Sequence, residues 1–563
     1  MRACTESRGL PFHRRRACMS SIRLLFFVAA MTLPLASSVA PDIPDGFIIG
    51  QTDVGEIQYF FTEDGVKHHV PGCRPCGPQR TVCKSGKELP GELIPSVKVP
   101  KAQISSLQTG SVFECSMAPS YFAGYSLWHR EPLNVMIDDR EPVRLNVLMT
   151  GIGTDLTGGP LSIMRFMNSV LQNTEIEVRW INVDGEGITG VELFKHLEKY
   201  GDVSLFKKKA DFVHGALRTG LPPLRVNSRD LFMSTLYFTT HIAAATARHP
   251  LLKNKNIIYF VQDFEPIFFP HDAMHLEALE TYRIPHFAIY STWFLQNYFQ
   301  ATGHGPYGHL DEMKRGLTVE DVTYASEPAI KQWAPIDVKL LSDRNRVRKV
   351  MVYARRHADR NAYQLTMDAL SIAICTGIFD QDKWEFIGLG ATNDATEWLG
   401  TVCNRREKIR VLKNIPEPEY AKLVQSGDVG LSLMVSPHTS LPPLDFAAAG
   451  LVTVTNSFKT KTRRDLLTVS RNFEVADPSL PGVVKALQRA VKRSYDVQAR
   501  KANAKINWES SWYGDRCYGP KLMEKLQSWF ETADPLWRNP FPMSSRFRKQ
   551  SRGKLASKAA QTH

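Results

Sequence analysis

The pattern of the chain predicts the α/β class: two Rossmann-like, doubly wound domains facing a cleft, behind a small N-terminal cysteine-rich, strand-containing unit. Three observations predict it. From Arg144 onward, strand-length apolar runs alternate with helical stretches, the signature of a parallel sheet with crossover helices. The alternation pauses between Tyr324 and Asp343 and restarts at Lys349, so there are two such units. Before Arg144 the pattern is different, with short strand runs and four closely spaced cysteines.

The small unit spans about 45–120. Ile57 to Phe61 has strand character, Glu63-Asp64-Gly65 is a hairpin turn signal, and Lys67 to Val70 returns as a second strand. Cys73, Cys76, Cys83 and Cys115 follow. In a secreted chain two disulfides are expected of them; zinc binding through the C-x-x-C pair is the alternative.

The first large domain is placed at 143–335. Its strands are expected at Leu145 to Met149, Ile176 to Val183, Leu231 to Tyr237, Ile257 to Gln262 and Phe287 to Tyr290. Helices are expected from near Leu161, over Val191 to Tyr200, His275 to Tyr282 and Phe294 to Phe299. The second domain is placed at 345–520. Strands are expected at Lys349 to Tyr353, Trp384 to Gly388, Ile409 to Leu412, Val429 to Met434 and Val452 to Thr455, with helices at Tyr363 to Ile378 and Pro481 to Tyr495. Parallel sheets bind ligands beyond the carboxyl ends of their strands, so both domains would present loops to one cleft.

The ends carry the targeting information. Leu24 to Ala36 is an apolar run behind a basic stretch, followed by small residues, and residues 1–40 are a signal peptide or an uncleaved signal-anchor. The expected location is the lumen of the endoplasmic reticulum or Golgi, or outside the cell, with membrane association through the N-terminus as one route. The 563 residues are 43% hydrophobic and 23% charged, a folded composition. The net charge of +13 invites a nucleic-acid reading, but much of the excess lies at Arg14 to Arg16 and in the basic tail 540–563. No zinc-finger spacing or aromatic RNA-binding motif accompanies it, so no specific nucleic-acid partner is expected.

Three segments carry candidate chemistry. In the second domain, the run Val429 to Met434 leads through Ser436-Pro437-His438-Thr439-Ser440 to Pro442-Pro443 and a short helix ending at Gly450. Prolines suit a helix start, where free amides can hold a diphosphate, and Asp445 in the first turn can accept from ribose hydroxyls. Alternatively Asp445 only complements the helix dipole. Arg355, Arg360 and Asn361 follow the strand ending at Tyr353, where cations can pair with phosphates; a solvated basic loop is the alternative. In the first domain, Asp263 and Glu265 stand at the end of a strand, and either could be a general base or hold an acceptor hydroxyl. A structural carboxylate capping a neighbouring helix is the other reading.

Together Tyr259 to Pro266 (YFVQDFEP), Glu280-Thr281-Tyr282, Ser291-Thr292-Trp293, Tyr353 to Asn361 (YARRHADRN), Leu431 to Gly450 (LSLMVSPHTSLPPLDFAAAG) and Thr455-Asn456 make the chain from Arg144 to Tyr518 resemble a known family. It resembles the two-Rossmann-domain (GT-B) glycosyltransferases and, within them, the WsaF-like rhamnosyltransferases. The resemblance implies a nucleotide-diphosphate sugar held mainly by the second domain and a glycan or glycoconjugate acceptor held by the first. It implies no cofactor and no required metal, with rhamnose as the suggested sugar. By that likeness Arg355 and Arg360 meet the phosphates, Asp445 meets the ribose, and Gly158 and Gly159 bring backbone close to the donor. Asn361, His438 and Ser440 complete the expected donor site, and Asp263 and Glu265 are the expected catalytic pair. The chain departs from the broader retaining group in one place: Pro437 and Asp445 stand where many relatives carry the paired glutamates of E-x7-E. A catalytically inactive relative that binds glycan or nucleotide as a module is the rival reading, and donor turnover separates the two.

Overall fold

The computed structural model describes residues 129–533 except 151–157, 185–189, 199–202, 214–222, 311–315, 327–332, 357, 392–393, 414 and 508–517, together with seven short strands between Gly46 and Met117. The expected signal segment, the basic tail, Cys73 and Cys76 lie outside the described residues. Ile57–Glu63 and Val66–His69 pair antiparallel across the expected turn. Thr81–Cys83 pairs antiparallel with Cys115–Met117, with Cys83 opposite Cys115.

The first domain is a seven-stranded sheet. Its strands are β1 (Arg144–Thr150), β2 (Glu177–Asp184), β3 (Ala210–Val213), β4 (Leu231–Ser234), β5 (Ile257–Val261), β6 (His286–Tyr290) and β7 (Thr323–Ala325). They lie in the order β3-β2-β1-β4-β5-β6-β7, every pair parallel. The second domain repeats the plan with β8 (Arg348–Tyr353), β9 (Trp384–Ala391), β10 (Ala395–Leu399), β11 (Glu407–Lys413), β12 (Val429–Leu431), β13 (Val452–Asn456) and β14 (Phe473–Ala476). The order is β10-β11-β9-β8-β12-β13-β14, parallel except for the antiparallel edge strand β10. Helices cover both faces, so the central strands are apolar on both sides, as β5 (IIYFV) is at every residue.

The domains share a bracing device at the end away from the cleft. Asp230, just before β4, accepts from the Arg144 backbone N–H at 2.8 Å and from Asn146 Nδ2 at 2.9 Å. Asp428, just before β12, accepts from the Lys349 backbone N–H at 3.1 Å and is ringed by Arg346, Arg348 and Arg500. Each aspartate ties the first strand of its sheet to the strand that begins the other half of the fold. Burial pushes the Asp230 carboxyl up to about 6.

Helix α1 (Gly158–Asn173) follows β1, α2 (Tyr237–Ala247) follows β4, and α3 (Trp293–Thr302) follows β6. Thr292 caps α3, accepting from Leu295 N at 3.2 Å, and Gly303 ends it with φ of 65°. In the second domain, α4 (Pro442–Ala448) follows β12. The last described helix, α5 (Pro520–Ala533), returns to the first domain. Tyr518, Leu522, Met523, Leu526 and Trp529 join the core built on Phe166, Phe260 and Phe287. Trp529 meets Phe287 at 5.4 Å between ring centroids. The second domain therefore does not close the fold; by Tyr518 the chain is back on the first domain, and α5 covers its sheet.

Four expectations shift. The strand expected over Leu231 to Tyr237 ends at Ser234, because Thr239 Oγ1 takes the Thr235 and Leu236 N–H groups and starts α2 there. The strand expected over Val429 to Met434 ends at Leu431. Beyond it the Asn456 side chain holds Met434, accepting from its N–H at 2.7 Å and donating to its carbonyl at 3.1 Å. Tyr324, placed in the linker, belongs to β7. The edge strands β3, β7, β10 and β14 went unforeseen, being short and, in the case of β10, mostly solvent-facing.

Candidate functional site

The site is assembled from loops at the carboxyl ends of β5, β8, β12 and β13, where the two domains meet. β5 ends at Val261, and the next residues are released from the ladder into a short 3-10 turn, Glu265–Phe268. Asp263 and Glu265 thereby go separate ways. Asp263 Oδ1 accepts from the Ser436 hydroxyl of the second domain and from the Phe264 N–H at 2.8 Å. Its Oδ2 lies 3.4 Å from Arg360 Nε, also of the second domain. Asp263 is thus 5% exposed and clamped across the junction.

Glu265 turns inward, 1% exposed. Its Oε2 accepts from the Tyr237 N–H, the first residue of α2, at 2.6 Å, and its Oε1 accepts from Tyr259 OH at 3.2 Å. Burial, and less strongly the neighbouring Asp263, push its carboxyl up to about 8. Both oxygens are used within the first domain, so Glu265 braces the start of α2 and the base of the loop that presents Asp263.

After β8, Arg355 is partly buried and Arg356 swings out to Glu397, 3.3 Å away, at the surface. The guanidinium of Arg360 stacks over the Phe268 ring at 4.5 Å as well as approaching Asp263. Asn361 is 3% exposed and donates to the Leu433 carbonyl at 3.3 Å. It was expected among the donor-binding residues. Its side chain instead anchors the loop after β12, and Val435 N adds a bond to the Arg360 carbonyl at 2.7 Å.

The loop after β12 is internally bonded. Ser436 Oγ, besides donating to Asp263, accepts from His438 N at 3.1 Å. Ser440 has φ of 65°, a left-handed conformation uncommon outside glycine and often found at functional sites. That turn aims its N–H at His438 Nδ1, 2.8 Å away. Burial holds the His438 imidazole down to about 4, so near neutral pH the ring is uncharged. With Nδ1 accepting, Nε2 carries the proton and remains a donor. Thr439 is 2% exposed, and its Oγ1 has no hydrogen-bond partner among the described residues.

Helix α4 begins at Pro442, and Asp445 lies in its first turn, partly buried. Desolvation raises the hydroxyl of half-buried Tyr420 first, and Asp445 and Tyr353 raise it further, so that carboxylate faces this aromatic pair. The helix start itself offers few donors. Pro442 and Pro443 carry no N–H, so the amides expected there for a diphosphate are largely missing.

Gly158 and Gly159 open α1 at the same junction. A side chain on Gly158 would strike Leu441 of the second domain, and one on Gly159 would strike Gln262. Their bareness lets α1 approach the opposite loops closely. The junction is sealed beside them by Phe294 of α3, which enters the second domain's apolar cluster with Leu444, Ala447 and Phe473.

The sequence reading missed one residue of this site. Lys461, in the turn after β13, is 1% exposed and donates to the Met434 and His438 carbonyls, each at 3.0 Å. Nothing local marks it in sequence: it stands among mostly polar and basic residues from Ser457 to Asp465 and so reads as an ordinary surface lysine. The disulfide Cys375–Cys403, between cysteines 28 positions apart, was not expected either. Among the described residues, no group of three or more His, Cys, Asp or Glu side chains is placed to hold a metal ion, and no helix is long and apolar enough to cross a membrane.

Comparison with known proteins adds the following. Residues 144–292 match the family described as WsaF, N-terminal domain, and residues 348–488 match WsaF, C-terminal domain. Over 265 residues, 45% of this chain, the sequence is 28% identical to the "O-antigen biosynthesis protein RfbC" of Myxococcus xanthus, and the match spans 18% of that relative's length. Among solved structures, sucrose-phosphate synthase from Thermosynechococcus elongatus aligns over 74% of this chain and 100% of its own, at 11% identity and TM-score 0.39. Anabaena HepE in complex with UDP-glucose aligns over 68% and 99%, at 12% identity and TM-score 0.42.

Proposed function

The chain belongs to the WsaF family, and we propose that it is a GT-B glycosyltransferase that moves a sugar from a nucleotide-diphosphate donor to a hydroxyl of a glycan or glycoconjugate. The observation that carries this reading is the clamp on Asp263. A carboxylate from the first domain meets a hydroxyl and a guanidinium from the second at the mouths of two parallel sheets.

In the proposed reaction the bond between the anomeric carbon and the diphosphate oxygen breaks, and its electron pair leaves with the nucleoside diphosphate. A bond from the acceptor oxygen to the anomeric carbon forms, and Asp263 takes the hydroxyl proton. Arg355 and Arg360 would stabilise the charge on the departing diphosphate, commonly a large term in such catalysis. Uncharged His438 would offer Nε2–H to a sugar hydroxyl or phosphate oxygen, and Asp445 would accept from the ribose. Closure of the domains would keep water from the donor. No metal is required in this scheme, and rhamnose is the sugar the family likeness favours.

The Cys375–Cys403 bond supports an oxidising compartment, consistent with action in the secretory lumen after export by the N-terminal signal. The test is a thermal-shift screen of the full chain with nucleoside diphosphates, followed by turnover of the matching nucleotide sugars. One nucleotide at a hundredfold its Kd should add about 2.7 kcal/mol of stability, and its sugar conjugate should release that nucleotide when acceptor is supplied. Failure of every nucleotide to bind overturns the proposal.

A further inference from the structure

A lysine buried to this degree needs a reason. Lys461 is 1% exposed, and a methionine of similar length would fill the space without the cost of desolvating an ammonium. Two of its three N–H bonds are used on carbonyls that bracket Ser436 in the chain, Met434 on one side and His438 on the other. The Met434 carbonyl also accepts from Asn456, whereas the His438 carbonyl is held by Lys461. The residue between them donates to Asp263 of the first domain. The hold is therefore indirect but continuous: ammonium, loop, hydroxyl, carboxylate.

We propose that Lys461 is a positioning residue of the transfer site, whose ammonium fixes the Met434–His438 loop so that Ser436 meets Asp263 in working geometry. The inference rests on the proposed glycosyl transfer. It also explains why the loop can keep Ser440 in a left-handed conformation, because an external cation ties the preceding turn down.

The charge on Lys461 is itself poised. Burial brings its ammonium down to about 7, and Asp263 opposes that fall. The other groups in the same field are Arg360 from the turn after β8, His438 from the loop after β12 and, behind Asp263, Glu265; burial keeps His438 neutral near pH 7 and raises Glu265 to about 8. As pH rises through about 7, Lys461 loses its charge and the loop loses its ionic hold.

The experiment compares the full chain with K461M and K461R, measuring turnover, donor KM and melting from pH 6 to 9. K461M should lower kcat at pH 7 by about tenfold or more with donor KM within about threefold, since a small misplacement at a reacting centre costs rate more than ground-state affinity. K461R should recover part of kcat and lose the wild-type decline above pH 7, because arginine stays charged throughout. Unchanged kcat in K461M, or a K461R protein that folds yet recovers nothing and keeps the decline, overturns the proposal. Should K461M fail to fold, K461R alone decides by the same criteria. If the wild type turns over no donor, it is the glycosyl-transfer reading that falls, and melting then judges Lys461. The native state has shed a proton that the unfolded chain keeps between about pH 7 and 10, so wild-type stability relative to K461M should rise from pH 7 to 9. A flat difference overturns the loss of charge near pH 7, and the kcat of K461M then judges the positioning role alone.

Discussion

Asp263, two residues past the end of β5, accepts a hydrogen bond from Ser436, in the loop after β12 of the other domain. The carboxylate proposed to serve the acceptor is thus oriented by the domain proposed to hold the donor. Any change in how the domains meet is felt at the reacting centre.

Asp263→Asn should keep the acceptor oxygen that Ser436 needs and remove the base. Turnover should fall by about 10²- to 10⁴-fold, the usual range for general-base loss, while nucleoside diphosphate affinity changes by less than about threefold. Steady-state kinetics and calorimetric titration check this together. Full turnover would remove Asp263 from the chemistry, and a fall in affinity alone would move it to the donor side.

Asp445→Asn should weaken nucleoside diphosphate binding by about tenfold or more, as a charged hydrogen bond contributes roughly 1.5–3 kcal/mol. The fold should survive, because a first-turn carboxylate contributes about 0.3–1 kcal/mol to its helix. Calorimetry on both folded proteins decides it. Equal affinities would leave Asp445 as a helix-start charge beside Tyr420.

Glu265 should show itself through the pH dependence of stability. Its folded carboxyl stands at about 8 and its unfolded one at about 4.3. Between those values the native state binds a proton that the unfolded chain does not, so stability falls as pH rises through that window. Glu265→Gln, which cannot ionise, should therefore gain stability relative to the wild type from pH 5 to 8. Glu265→Ala should destabilise by about 1–3 kcal/mol at pH 5 by leaving the Tyr237 N–H and Tyr259 hydroxyl unpaired. Denaturant titrations across that range give both answers, and a pH-independent difference for the glutamine variant would contradict the first.

Cys375 and Cys403 should appear as one linked peptide in a non-reducing digest. Replacing both by serine should cost about 2–4 kcal/mol of second-domain stability, given the 28-position separation they close. Two free thiols in protein taken from an oxidising compartment would refute the pairing.

Much of the architecture was legible because parallel-sheet strands, buried on both faces, stand out as short apolar runs, as Ile257–Val261 does, or by their β-branched residues, as Val452–Asn456 (VTVTN) does. The edge strands were not, since Ala395–Leu399 buries little and carries no such run. Within the site, Asp263 and Glu265 looked equivalent two positions apart. On a continuing strand they would share a face, but β5 ends at Val261 and a 3-10 turn begins at Glu265, so that parity is lost. The donor segments were found as segments, while the job of Asn361 depended on a partner the local sequence does not name; the shortage of amides at Pro442–Pro443 was legible in the prolines themselves.

The order of residues was enough to establish the two-domain α/β plan and the loops that carry the chemistry, because strand and helix periods are properties of near neighbours. The folded chain alone decided that Asp263 meets Ser436 from 173 positions away, that Lys461 is buried beneath the same loop, that Cys375 finds Cys403, and that the helix after Tyr518 returns to the first core. Such meetings cost loop-closure entropy and are selected by the packing of the whole core, so no local pattern encodes them.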